Sequence, residues 1–552
     1  MRVLVLAMLI PALAQAWYYG RPEPNAWTTG GVWPLPWTIN YFTGNHSVNP
    51  SRFRFQAKQA GCDIIDKAIA RYQKLSFPGY NASTYAGDAG TLTSVQIDVT
   101  SGCPTGVPSL SMDETYTVSI TTPNGIGIIQ AKEVWGALRA METFSHLVYL
   151  PKDNVYMVRT ANITDGPRFP WRGVMIDSSR HFLPISTLLQ NLDVMAQNKM
   201  NVFHWHLVDS EAFPYPSLKY PDLTSKGAYS PKHQYSVADV KKVIDYARLR
   251  GIRVVAEFDT PGHTGAWGYG IPNLTPKCYQ SNGKAGMLPN ILDPTVNSTF
   301  DFLSGFFAEA LALFPDEYMH FGGDEVIDDM NECWYNNPEV RSRMQQLGFG
   351  SDTGKLLNYY WARLFDIIDK ARAGTKKLVW QEVLDQNVPQ QQSIAHVWKG
   401  ATIQEAYEEM GKVTANGHFA ILSSCWYMNY IKYGADWGYV NEDAMRARGM
   451  YYQCDPQGFH GTKEQKNLVL GGEAAIWGEF VDGTNLINRL WPRASAVAER
   501  LWSDPSQTQS ADNAWPRLHE FKCRLIHRGF RMQPVMDPDY CPYEWQDGYQ
   551  EI

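Results

Sequence analysis

Residues 173–209 run GVMIDSSRHFLPISTLLQNLDVMAQNKMNVFHWHLVD. Two short apolar segments, Gly173–Asp177 and Val202–Asp209, flank Ile185–Lys199, where Leu188, Leu192, Met195 and Lys199 recur at helical spacing. A strand, a helix and a second strand make the repeating unit of a parallel sheet. The alternation continues through Val254–Thr260, Tyr318–Glu325, Leu378–Val383, Ala395–Trp398, Ala420–Ser424 and Val469–Trp477, with amphipathic stretches between them. One of these, Val237–Arg250, opens on the capping-box pattern Ser236-x-x-Asp239 and stops at Gly251. Eight strand-then-helix units predict an α/β fold, a (β/α)8 TIM barrel with insertions. A doubly wound sheet is the alternative, but no glycine-rich phosphate loop follows its first strand.

Ahead of the barrel the pattern differs. Met1 and Arg2, an apolar run from Val3 to Leu13 and Ala14-Gln15-Ala16 read as a secretory signal peptide over residues 1–16. Residues 17–165 read as a small α/β domain, with strands at Thr91–Asp98 and Tyr116–Thr121 and a helix from about Ala131 to Leu147. Residues 166–552 read as the barrel domain, which would carry any catalytic site. The chain has 552 residues, more than one ordinary domain holds. Its net charge of −7 argues against a nucleic-acid or anionic-membrane binder. No later apolar run is long enough to span a bilayer, so no membrane insertion is expected.

A secreted chain should oxidise its cysteines, and pairing neighbours in sequence gives Cys62–Cys103, Cys278–Cys333 and Cys523–Cys541, with Cys425 and Cys454 left open. No zinc-type spacing exists, and neither metal nor organic cofactor is expected. Five N-x-S/T sequons, at Asn45, Asn81, Asn162, Asn273 and Asn297, imply a glycoprotein. The 19 Trp and 30 Tyr favour a carbohydrate or aromatic ligand, since flat rings stack on sugar C–H faces.

In a barrel the reactive face lies at the C-terminal strand ends. Those ends carry Asp177, Arg180, Asp209, Asp259, His263, Asp324, Glu325, Trp380, Glu382, Trp398, Tyr427, Trp477 and Glu479. Carboxylates and large aromatics converge there, as an acid/base site in an aromatic-lined pocket requires. At its centre is His320-Phe321-Gly322-Gly323-Asp324-Glu325. Both acids reach one cavity if the strand end is bulged, because an ideal strand points neighbours to opposite faces. An ordinary retaining glycosidase sets its two carboxylates on opposite sides of the bond, about 5–5.5 Å apart. Sequence-adjacent acids suit instead a substrate that supplies its own nucleophile, as the carbonyl of a 2-acetamido sugar can.

RHFLP from Arg180, NVFHWHLVD, AEFDTPGH, HFGGDEV, VWQEV and GGEAAIWGE resemble, in order, the motifs of the glycoside hydrolase family 20 β-N-acetylhexosaminidases, and the chain most resembles the animal lysosomal subunits. The resemblance implies an exo-acting enzyme that removes terminal β-linked GlcNAc or GalNAc with retention. It implies Glu325 as general acid/base, Asp324 as the group that orients the acetamido arm, and Tyr427 as a donor to its carbonyl. It also implies Trp380, Trp398 and Trp477 as walls, Arg180, Asp209 and Glu479 as hydroxyl ligands, and His263 as a partner of the acid pair. It further implies a lysosomal or secreted dimer acting on glycans, with a homodimer expected and a heterodimer the alternative. Where one animal subunit type pairs an Asn with an Arg to take negatively charged substrates, this chain has Asn429 and Tyr430. The cation is missing. Two other classes compete: a metal-dependent amidohydrolase using His204, His206, His263, His320 and Asp324, and an inactive sugar-binding protein. The first needs its HxH on strand one, and here it lies on strand two; the second would have lost Glu325.

Overall fold

The computed structural model describes residues 28–85, 87–121, 124–385, 393–430, 436–438, 451–534 and 539–544. The expected signal peptide lies outside them. The eight barrel strands close on one another in chain order. They are β1 (Trp171–Asp177), β2 (Val202–Val208), β3 (Arg253–Phe258), β4 (Tyr318–His320), β5 (Lys376–Trp380), β6 (Ser393–Val397), β7 (Ala420–Leu422) and β8 (Val469–Ile476). β8 pairs in parallel with β1 from Trp171↔Gly471 to Ile176↔Ile476 and completes the barrel.

The alternation along β2 shows why the sequence closes in this way. Phe203, Trp205 and Leu207 join the large apolar core between sheet and helices. The intervening Val202, His204 and His206 occupy the opposite face, as a two-residue period requires. Val202 belongs to an apolar cluster with Trp171, Val255, Tyr318, Leu378, Ile394 and Ile421, which plugs the N-terminal end of the barrel. Above this plug the filling turns polar: His204, Glu257, His320, His396 and Glu473 are all 0% exposed. Gly173 makes room for it, since a Cβ there would stand 2.4 Å from Glu473 Oε2.

Two expected strands end three or more residues early. β4 stops at His320 rather than Glu325, because Gly322 and Gly323 take φ of +69° and +108° and turn the chain out of the sheet. β5 stops at Trp380, and Glu382–Asp385 forms a helical turn. The helices at Ile185–Gln197 and Val237–Arg248 fall where expected, the second with its Ser236–Asp239 capping box formed.

The N-terminal region carries a six-stranded sheet with the spatial order Thr38–Tyr41, Ala161–Asp165, Tyr116–Ser119, Ile126–Ala131, Ser94–Val99 and Arg54–Ala57. Helices Asp63–Leu75 and Val134–Leu147 contribute to its core. The second helix starts later than its periodicity suggested, because Ile126–Ala131 is a strand. Buried Glu114 ties this region to the barrel by facing Arg139 at 2.9 Å and Arg172 at 2.6 Å. The three expected disulfides form, and Cys425 pairs with Cys454. All five sequon asparagines are exposed. No helix among the described residues is long and apolar enough to cross a membrane.

Candidate active site

Asp324 and Glu325 stand on the turn that breaks β4. The turn needs its glycines: a Cβ on Gly322 would sit 1.6 Å from Asp259 Oδ1, and one on Gly323 would sit 2.2 Å from a Val383 methyl. Two carboxylates hold its backbone. Gly323 N–H donates to Asp259 Oδ1 at 2.8 Å, and Glu325 N–H donates to Glu382 Oε2 at 3.2 Å. Glu325 itself takes φ +52°, in the left-handed region. The expected bulge is therefore a left-handed turn, and it solvates the two neighbours differently. The Asp324 side chain is 10% exposed and that of Glu325 is 60% exposed. Asp324 Oδ1 is buried and accepts no hydrogen bond from the described residues.

His263 faces both acids, its Nε2 standing 3.8 Å from Asp324 Oδ2 and 3.8 Å from Glu325 Oε2. Burial opposes a charge on this ring, but Asp209, Asp324 and Asp259 outweigh it and hold the His263 pKa well above the usual range. An imidazolium therefore stands beside the acid pair. Burial, reinforced by the neighbouring Asp324 carboxylate, pushes the Asp259 pKa well above the usual carboxylate range.

Asp209 organises the opposite side. Its Oδ2 lies 2.8 Å from Arg180 Nη2 and 2.8 Å from His206 Nε2, and its Oδ1 lies 3.1 Å from His263 Nδ1. Burial raises its pKa, but His263, Arg180 and His206 prevail and hold it well below the usual range. Both oxygens are engaged within the protein. Arg180 also faces Asp177 at 3.2 Å and Glu211 at 3.1 Å, with its guanidinium 5.1 Å from the centre of the Trp477 ring.

The aromatic residues gather at the same rim. The Tyr427 ring lies 6.5 Å from both Trp398 and Trp477, and Trp477 lies 5.9 Å from Trp380. Tyr427 is placed by a parallel bridge to Ala475 of β8, two residues after the disulfide-bonded Cys425. Trp380 is 1% exposed and donates its indole N–H to Glu257 Oε1 at 2.8 Å. Asn429 is half-buried, Glu479 is exposed, and the exposed Tyr430 ring lies 6.2 Å from Tyr427.

Trp205 and Trp361 are core residues, both 0% exposed. Asp177 acts on backbone: it accepts from the N–H groups of Ser179, Arg180 and Gly478. Asp259 does the same for Gly323. Glu257 and Glu211 carry parts of the arrangement without any signal in the sequence, while Glu382 reads there only as a strand-end carboxylate and His206 only as a ligand of the rival metal site. The two-residue period of NVFHWHLVD, which turns both histidines inward, was the available signal for His206. The amidohydrolase reading loses its ligands to carboxylates. His204 Nδ1 lies 2.6 Å from Glu473, and its Nε2 makes a 2.9 Å ion-pair contact with Glu257 that is off hydrogen-bond angles. His206 is held by Glu257 at 2.7 Å and by Asp209.

The model of the glycosyl hydrolase family 20 catalytic domain matches residues 169–505, and the "beta-acetyl hexosaminidase like" model matches residues 32–147. Beta-hexosaminidase A of Caenorhabditis briggsae is 48% identical over 550 residues, covering 99% of each chain. Beta-hexosaminidase subunit alpha of Bos taurus is 43% identical over 529 residues, covering 93% of this chain and 96% of its own. Among solved structures, the Flavobacterium johnsoniae chitobiase superposes with a TM-score of 0.75 at 27% identity, over 90% of this chain and 73% of that one. With the acid pair, the charged arm and the aromatic rim in place on this barrel, the chain belongs to glycosyl hydrolase family 20.

Proposed function

We propose that this site removes terminal, non-reducing β-linked N-acetylglucosamine or N-acetylgalactosamine from glycans, with retention of configuration and with the substrate's acetamido oxygen as nucleophile. One observation carries the reading: a buried carboxylate oxygen of Asp324 that lacks a donor, next to a solvent-exposed Glu325. Buried acceptors are almost always satisfied, and an acetamido N–H supplies the missing donor. That bond turns the carbonyl oxygen toward C1. Glu325 gives its proton to the glycosidic oxygen, the C1–O bond breaks, and the carbonyl oxygen bonds to C1. The oxazolinium so formed is positive, and the Asp324 anion beside it stabilises that charge as it develops. Glu325, now a base, takes a proton from water as the water attacks C1, which reopens the ring and regenerates the acid.

Tyr427 donates to the acetamido carbonyl, and Trp380, Trp398 and Trp477 enclose the methyl group and sugar ring. Arg180 and Glu479 hold hydroxyls by charge-assisted hydrogen bonds. Asp209, with both oxygens engaged, acts on the sugar through Arg180 and His263. Five exposed sequons and four disulfides suit a secretory route to the lysosome or the medium. We assign the working form as a homodimer, which sedimentation of the purified chain checks. The function itself is tested with paired aryl β-glycosides, one of N-acetylglucosamine and one of glucosamine: only the first should be cleaved.

A further inference from the structure

Glu257 does not belong to the acid cluster at the rim. It lies one layer down inside the barrel, 0% exposed, on β3. Its two oxygens nonetheless serve opposite sides of the site. Oε1 accepts the Trp380 indole N–H at 2.8 Å and lies 3.2 Å from His320 Nδ1. Oε2 lies 2.7 Å from His206 Nδ1 and 2.9 Å from His204 Nε2. Trp380 leads to the aromatic rim through Trp477. His206 leads through its other nitrogen to Asp209, and from Asp209 to Arg180 and to the His263 that faces both acids.

We infer that Glu257 is a positioning residue for the reaction, one carboxylate that fixes the aromatic wall with one oxygen and the charged arm behind Asp324 and Glu325 with the other. This rests on the glycosidase reading above. A simpler role is charge balance for the buried histidines. The barrel contains its own control for that role. Glu473 is also 0% exposed, lies in the same layer and holds the same His204, at 2.6 Å. Its other hydrogen bond is from the Trp171 indole N–H at 3.0 Å, in the apolar plug, and its remaining neighbour is His396 at 3.9 Å. Glu473 therefore shares the burial and the carboxylate of Glu257, but among the described residues no hydrogen bond leads from it to the rim: its only link there is the looser His396 ring, stacked on Trp380 at 4.3 Å.

The two roles differ in how they respond to pH. His206 is faced by Glu257, by Asp209, by Arg180 Nη1 at 3.5 Å and by the Trp477 ring. Glu257 is faced by His204 and His206 of β2, His320 of β4 and Trp380 of β5, with Asp259 beyond it on its own segment. Burial works against the His206 charge, but Glu257 and Asp209 hold its pKa well above the usual range. Without the Glu257 anion, His206 releases its proton at lower pH and Asp209 loses a cation. The damage therefore grows as pH rises.

The test uses the full-length enzyme and its Glu257→Gln and Glu473→Gln variants. Aryl N-acetyl-β-glucosaminide hydrolysis is measured from about pH 3.5 to 8, with thermal melts alongside. In Glu257→Gln, kcat near neutrality should fall about tenfold to a hundredfold, the cost of sub-ångström misplacement of reacting groups, with less change in KM. The alkaline limb of its profile should move about one pH unit toward acid. Glu473→Gln should keep the wild-type limb whatever its melting temperature. An unshifted limb in Glu257→Gln, or an equal shift in Glu473→Gln, overturns the inference. If Glu257→Gln does not fold, His206→Gln cuts the same arm and should show the same shift, and a wild-type limb there is equally contrary. An inactive wild type would overturn the glycosidase reading itself, whereas an active wild type with an unmoved Glu257→Gln limb overturns only the role of Glu257.

Discussion

His263 Nδ1 stands 3.1 Å from Asp209 Oδ1, and this contact turns the other ring nitrogen toward the acid pair. The nearest carboxylate oxygens of that pair are 3.8 Å away, so the cation acts there as a field rather than as a tight partner. Its positive charge faces both side chains at the same distance. The two neighbouring acids have different tasks, and mutation should separate them.

Glu325→Gln keeps the shape and removes the transferable proton. General acid catalysis contributes roughly 10²–10⁴-fold, so kcat should fall by that order while a competitive sugar-lactam inhibitor binds within a few-fold of wild type. Near-normal turnover would remove Glu325 from its role.

Asp324→Asn replaces the buried anion by an amide. Loss of one preorganised electrostatic contact costs about 10²–10³ in kcat. The loss should be larger for the N-acetyl substrate than for any residual, unassisted hydrolysis, which rates on paired substrates reveal.

The turn that carries both acids should tolerate no side chain at Gly322. Its φ is +69° and the nearest atom to an added Cβ is Asp259 Oδ1 at 1.6 Å. Gly322→Ala combines a left-handed backbone cost of about 1–2 kcal/mol with overpacking of about 1–3 kcal/mol. A lowered melting temperature and lost activity are expected together.

Barrel stability should depend on the His204 proton. Burial opposes that proton, but Glu473 and Glu257 raise the pKa from the ordinary 6.5 to about 9. The unfolded ring titrates near 6.5, so the stabilisation is complete below that value and is lost as pH rises through about 9. Melting temperatures should therefore fall between pH 7 and 9.5, and less steeply in His204→Gln.

We propose that Tyr430, whose exposed ring lies 6.2 Å from that of Tyr427, takes the position at which a cation would meet an anionic substrate. The enzyme should prefer neutral over 6-sulfated N-acetylglucosaminides. Tyr430→Arg should raise kcat/KM on the sulfated substrate several-fold, since an added charge pair at an exposed site contributes up to about 1 kcal/mol. An unchanged ratio of the two substrates would count against this position.

The barrel was legible because its strands are buried on both faces and its helices are amphipathic, two periods that differ plainly. The rim was legible because strand ends are fixed once strands are. What lay beneath it was harder. His204 and His206 looked like possible metal ligands, and nothing local says that Glu257 and Glu473, on strands far apart in sequence, occupy their nitrogens. The geometry at Glu325 was expected as a bulge and is a left-handed turn, since Gly-Gly announces a break without saying which way the chain leaves. Asp209 was expected to hold a sugar hydroxyl, yet His263, Arg180 and His206 take both its oxygens, contacts drawn from three separate loops and strands.

In this mechanism the substrate's own acetamido oxygen attacks C1. Progressive fluorination of the N-acetyl methyl group weakens that oxygen as a nucleophile while scarcely changing the leaving group, so kcat/KM measured across the series tests this step most directly. A steep fall with each fluorine, and no turnover of the glycoside that lacks the acyl group, is the predicted result. A flat series, or a sugar trapped covalently on Asp324 or Glu325, would contradict it.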